Sequence, residues 1–202
     1  MVTDGYALEY IDKSLKSDRD LTLAAVKSEG NALGYAAPEF KADREIVLAA
    51  VDSAGVALSF ADDKLKSDRE VVITAVKQNG YALFHASASL KSDREVVLAA
   101  VKNQGMALDY VDEKFKTDIG IVRSAVTSHG MALGYASEEF KKDRELVLVA
   151  VKQNGWALEC ADDSLKADRD IVIEALKDSG WCLRYASKEL QQDQELKKLA
   201  EG

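Results

Sequence analysis

Asp93-Arg94-Glu95-Val96-Val97-Leu98-Ala99-Ala100-Val101-Lys102-Asn103-Gln104-Gly105 reads as one short, capped helix. Val96, Val97, Ala100 and Val101 fall on a single helical face. Leu98 and Ala99 widen that face, as in a helix covered on more than one side. Asp93 is a good N-cap, Glu95 suits the positive helix start, and Lys102 suits the negative end. Val is a mediocre helix former and a strand is the competing assignment, but the alternation of apolar and polar residues that a half-buried strand needs is absent. Gly105 is placed to end the helix through a left-handed C-terminal cap.

Outward from this stretch the same text recurs. Gly5, Gly30, Gly55, Gly80, Gly105, Gly130, Gly155 and Gly180 are spaced 25 residues apart, a period that marks a stacked, quasi-one-dimensional array. The Leu three residues after each Gly is present in every copy from Leu8 to Leu183, the Asp thirteen on from Asp18 to Asp193, and the Ala twenty on from Ala25 to Ala200. After each Gly comes a shorter apolar segment, such as Trp156-Ala157-Leu158-Glu159-Cys160-Ala161, whose Leu158 and Ala161 lie against the longer helix if this segment is a short helix. A further anchor follows at Leu15, Phe40, Leu65, Leu90, Phe115, Phe140, Leu165 and Leu190. The expected fold is all-α: an α-solenoid, a superhelical stack of eight two-helix repeats. The array spans 1–202 as a single domain, with repeats 5–29, 30–54, 55–79, 80–104, 105–129, 130–154, 155–179 and 180–202. The last is a capping repeat, because Lys197 and Lys198 replace apolar residues on what becomes a wet face; in the first copy Thr22 is the main polar replacement.

The unit resembles a repeat family called domain of unknown function 4116. The segments that carry the resemblance are Asp68-Arg69-Glu70-Val71-Val72, Ala75-Val76-Lys77-Gln78-Asn79-Gly80 and Ala82-Leu83, recurring from residue 5 to about 200. The resemblance implies a helical array, and the family brings no catalytic residue to carry over. The fifth copy departs from the pattern, with Ile119-Gly120 in place of Arg-Glu and Arg123 in place of an apolar residue, so stacking is expected to be least regular there.

Composition narrows the function. The net charge of −8 argues against a nucleic-acid partner. No run approaches the ~18 apolar residues of a membrane span, and Met1-Val2-Thr3-Asp4 leads straight into the first repeat without a visible signal peptide. Cys160 and Cys182 stand at different repeat positions, which suits two reduced, packed thiols in a cytoplasmic protein. His85 and His129 are too few and too scattered for a histidine-rich metal site, and no nucleophile–base constellation or phosphate-binding loop is present. No cofactor is called for and an enzyme is not expected.

Two surfaces remain as candidates. A basic ladder recurs at Lys16, Lys41, Lys66, Lys91, Lys116, Lys141 and Lys166, with Arg19, Arg44, Arg69, Arg94, Arg144 and Arg169 three residues after the corresponding lysines. It reads either as a network pairing each Arg with an acidic residue of its own or a neighbouring repeat, or as an anion-binding stripe for an acidic peptide, a phosphoinositide or RNA. The second surface is the position after each Gly: Tyr6, Asn31, Val56, Tyr81, Met106, Met131, Trp156 and Trp181. Four residues on lie Tyr10, Tyr35, Phe60, His85, Tyr110, Tyr135, Cys160 and Tyr185, a row expected to belong mainly to the inter-repeat core. The functional expectation is a non-catalytic scaffold, monomeric rather than self-assembling, that binds a protein or peptide along the short-helix face, with Trp156 and Trp181 as first contacts and Tyr81, Met106 and Met131 beside them. An anion-binding array and a structural spacer are the alternatives.

Overall fold

The computed structural model describes residues 17–201, and the architecture is an all-α solenoid. Gly5, Tyr6, Leu8, Tyr10, Leu15 and Lys16 lie outside the described residues. Each repeat has three pieces. A long α-helix follows the Asp, ten residues in Arg69–Gln78 and in Arg144–Gln153. A six-residue 3₁₀ helix starts at the Gly, as in Gly80–His85 and Gly155–Cys160. A short helical turn, such as Pro38–Lys41 or Glu138–Lys141, leads to the next Asp. Packing gathers the repeats into two compact units, Met1–Asn103 and Gln104–Gly202. Within each unit successive long helices lie on one another, and so do successive 3₁₀ helices.

The core is the apolar set that every copy shares. In repeat four Ala82, Leu83, Val96, Val97, Ala100 and Val101 are completely buried. The later anchor is buried in Phe40, Leu65, Leu90 and Phe115 and half-buried in Phe140, Leu165 and Leu190. Thr22 is not a wet cap residue: it is fully buried and its hydroxyl donates to the Asp18 carbonyl at 2.8 Å, satisfying itself inside its own helix. At the other end Lys198 is exposed and Lys197 half-buried, as a terminal face requires.

The glycines work differently from a left-handed cap. No described residue, glycine or otherwise, has a positive φ. The long helix instead ends on an extended residue such as Asn79, whose N–H still reaches the Ala75 carbonyl at 2.9 Å. The following Gly is buried against the end of the next repeat's helix. A Cβ on Gly105 would stand 2.1 Å from the Ala125 carbonyl oxygen, and one on Gly55 2.3 Å from that of Ala75. Glycine is required by close approach of backbone to backbone, not by its own torsion angles.

Three kinds of bond join consecutive repeats. The Arg after each cap reaches forward. Arg44 Nε donates to Asp68 Oδ2 at 2.7 Å and its Nη2 to Glu70 Oε2 at 2.5 Å. Arg19 grips Asp43 and Glu45, Arg69 grips Asp93 and Glu95, Arg144 grips Asp168 and Asp170, and Arg169 grips Asp193 and Glu195. The same Asp caps its own helix, Asp68 accepting from the N–H groups of Glu70 and Val71. The Arg44 guanidinium holds the Asp68 carboxyl below the usual range, and Arg144 does so for Asp168. Main-chain bonds follow, from Ser87 N–H to the Lys66 carbonyl at 2.9 Å and from Asp162 N–H to that of Lys141 at 3.0 Å. Finally, a polar side chain two residues before the next Gly meets the helix end behind it: Asn103 Oδ1 accepts from Gly80 N–H at 2.8 Å while its Nδ2 donates to the Lys77 carbonyl at 2.9 Å. These otherwise orphaned groups at the helix end are thereby satisfied.

The fifth repeat keeps its helix, Ile119–Ser128, with Ile121 and Val122 fully buried. What it lacks is the forward clamp, since Ile119 occupies the arginine's place ahead of Asp143 and Glu145. Ile119→Arg is expected to raise the urea midpoint, by an increment of up to ~1 kcal/mol because the site is exposed, and high salt is expected to erase the gain. An unchanged midpoint at low salt would mean that Asp143 and Glu145 do not offer the seat seen in the other copies.

Candidate functional site

A 3₁₀ helix has three residues per turn, so positions three apart eclipse one another. In Gly80–His85 this turns Ala82 and Leu83 inward and aligns Tyr81 with Phe84 on the outside. Within the aromatic row Tyr35 and Phe60 are exposed and not inter-repeat core, while His85 is half-buried. Tyr35, Phe60 and Tyr81 are 37%, 40% and 38% exposed, and Phe84 reaches 55%. The Phe60 ring spreads across Gly34 of the preceding repeat, where a Cβ would meet it at 3.1 Å. Together with Val56 these side chains give the unit Met1–Asn103 a run of exposed apolar surface along its 3₁₀ helices. Phe84 escaped the sequence reading, which applied a four-residue spacing to a segment that turns every three. The three-residue interval between Leu83 and Ala86 was the signal that could have found it.

In the unit Gln104–Gly202 the same rows are quieter. Met106, Met131, Tyr110, Tyr135, Cys160 and Tyr185 are half-buried. The two tryptophans differ. Trp156 packs edge-on against Tyr185 with ring centroids 5.9 Å apart. Arg184 lies over both rings, 5.1 Å from the Trp156 centroid and 5.0 Å from that of Tyr185, and donates to the Tyr185 hydroxyl at 2.9 Å. Trp181, in the last repeat, is 73% exposed.

The basic ladder separates into two halves. Its arginines stand at the helix starts, in the clamps described above; Arg94 holds the equivalent helix position. Its lysines stand beside the 3₁₀ helices. Lys41 Nζ donates to the Gly34 carbonyl at 2.7 Å. Lys66, Lys116, Lys141 and Lys166 pair with Asp63, Glu113, Glu138 and Asp163 three residues earlier. Lys91 has Ala88 at that place and lies over the Phe84 ring, 5.3 Å from its centroid, where burial lowers its pKa. His85, next to Phe84, is lowered by burial and by the charges of Lys66 and Lys91. Cys160 occupies the corresponding place between Lys141 and Lys166; burial pushes its thiol up, as it does for Cys182, and both are free thiols.

Matches to one family model run through residues 2–41, 43–91, 71–116, 93–141, 118–166 and 143–191, and that model is the Domain of unknown function (DUF4116). The chain belongs to the DUF4116 family. No curated protein and no solved structure matches it. The matched DUF4116 segments carry the two features of the site together: the 3₁₀ helix with its outward aromatics and the lysine that follows it. No helix among the described residues is long and apolar enough to cross a membrane.

Proposed function

We propose that the chain is a non-catalytic scaffold that binds a protein or peptide partner along the face formed by its 3₁₀ helices. The observation that carries this reading is the outward run of Tyr35, Val56, Phe60, Tyr81 and Phe84, each more than a third exposed and all on the 3₁₀ helices of successive repeats. Burying a large side chain of this kind stabilises a complex by ~1.5–3 kcal/mol, and aromatics on a rigid framework are favoured contact points. The arginine edge is the weaker candidate, because its charges are already engaged by the carboxylates of the next repeat.

A displayed random-peptide library selected on the intact chain tests this. Selected peptides are expected to lose binding to a Phe60→Ser/Tyr81→Ser/Phe84→Ser variant and to keep it with Arg44→Gln/Arg69→Gln. The reverse pattern would transfer function to the arginine edge. Failure to select any face-dependent peptide would leave the array as a spacer.

A further inference from the structure

Repeat four carries an unusual combination. Its short turn reads Ser87-Ala88-Ser89, with no acidic residue where other copies have Asp63, Glu113, Glu138 or Asp163. Lys91 therefore lacks the carboxylate three residues earlier that Lys66, Lys116, Lys141 and Lys166 have, and rests on the Phe84 ring. The charge of Lys66 in the preceding repeat also acts on His85, which follows Phe84. Ser87 and Ser89 place their hydroxyls 2.9 Å apart on the same turn. Phe60, Tyr81 and Phe84 are exposed on the two adjoining 3₁₀ helices, Gly55–Phe60 and Gly80–His85. A protein of net charge −8 thus presents an apolar surface bordered by two lysines and a histidine, with Lys66 paired to Asp63.

We infer that this patch in repeats three and four is the docking site for an acidic peptide segment, in which apolar side chains alternate with carboxylates. The apolar groups would lie on Phe60, Tyr81 and Phe84, and the carboxylates would reach Lys66 and Lys91. The inference rests on the peptide-binding reading of the 3₁₀ face and adds the chemistry and place of the ligand. Charge complementarity selects the occupant: a basic segment would meet Lys66 and Lys91 with like charge, and repulsion of this kind suppresses wrong partners.

Fluorescence anisotropy with three labelled synthetic peptides provides the test. They share one alternating Leu/Trp pattern, and the intervening positions are all Glu, all Gln or all Lys. The Glu peptide is expected to bind the intact chain most tightly and the Lys peptide not to bind. Ala88→Glu, which gives Lys91 the partner that Lys141 has in Glu138, is expected to weaken the Glu peptide roughly tenfold while leaving the melting temperature unchanged. Lys66→Gln/Lys91→Gln should do the same, and added salt should narrow the difference between Glu and Gln peptides. Equal binding of all three peptides, lost on Phe60→Ser/Tyr81→Ser/Phe84→Ser, would overturn the acidic preference and leave the peptide-binding reading standing. Absence of binding by every peptide would count against both. Tighter binding of oligouridylate or of phosphatidylserine vesicles than of the Glu peptide would assign the patch to a different class of anion and overturn the proposal.

Discussion

Gly105→Ala is expected to destabilise the chain by about 3 kcal/mol or more, the upper range for overpacking, because the obstacle is main chain. The added methyl would meet the Ala125 carbonyl oxygen at 2.1 Å and the His129 nitrogen at 2.9 Å, and neither can swing aside as a side chain can. For a chain of this size the loss corresponds to a fall in melting temperature of roughly 6 °C or more, read by circular dichroism. Gly34→Ala is the control. The nearest atoms its methyl would meet belong to the Phe60 ring, at 3.1 Å, and that ring is exposed enough to move. Gly105→Asn separates the two explanations of the glycine, since Asn tolerates left-handed torsions yet fills the same space. If Gly105→Asn melted like the parent, close approach would be the wrong explanation.

Leu108→Ala is the second large effect. Leu108 is fully buried on the inner side of the 3₁₀ helix Gly105–Tyr110, which packs on the long helix Ile119–Ser128. Truncation removes apolar contact and leaves a cavity that the surrounding Ala107, Ile121 and Val122, themselves fully buried, cannot collapse to fill. The expected loss is ~2–5 kcal/mol by chemical denaturation. A loss under ~1 kcal/mol would take Leu108 out of the core. Arg69→Gln makes a useful comparison, because an exposed clamp contributes far less than a core leucine.

The long helices were legible because independent signals agree: Asp before the helix and apolar residues on one face recur from copy to copy, and Lys stands near the end in Arg69–Gln78 and Arg144–Gln153. The 3₁₀ helix was harder to read. Six residues are unusually many for that conformation, and in Gly80–His85 it is held by burial of Ala82 and Leu83, not by any local preference the sequence displays. That error of pitch moved Phe84 out of view, and Phe60 was counted with the core while Tyr81 was placed on the outer face. The roles of Asn103 and Gln153 were not legible because their bonds run more than twenty residues back, to Gly80 and Lys77 and to Gly130 and Ser128, and local text carries no trace of such partners. The arginine network was foreseen as pairing, but only the fold could choose the next repeat over the same one.

The forward clamp, the main-chain bridge and the buried glycine each keep their own separation from copy to copy and recur in steps of 25 residues or a multiple of it. Each repeat therefore hands on what it receives, and the array carries its own ruler. Loss or duplication of 25 residues inside either unit, wherever the breakpoints fall, returns every donor to an acceptor of the same type. An insertion of any other length would set side chains where bare glycine must lie against a neighbouring carbonyl. Such a chain can grow or shrink in whole steps by gene-level copying, and it resists change in between.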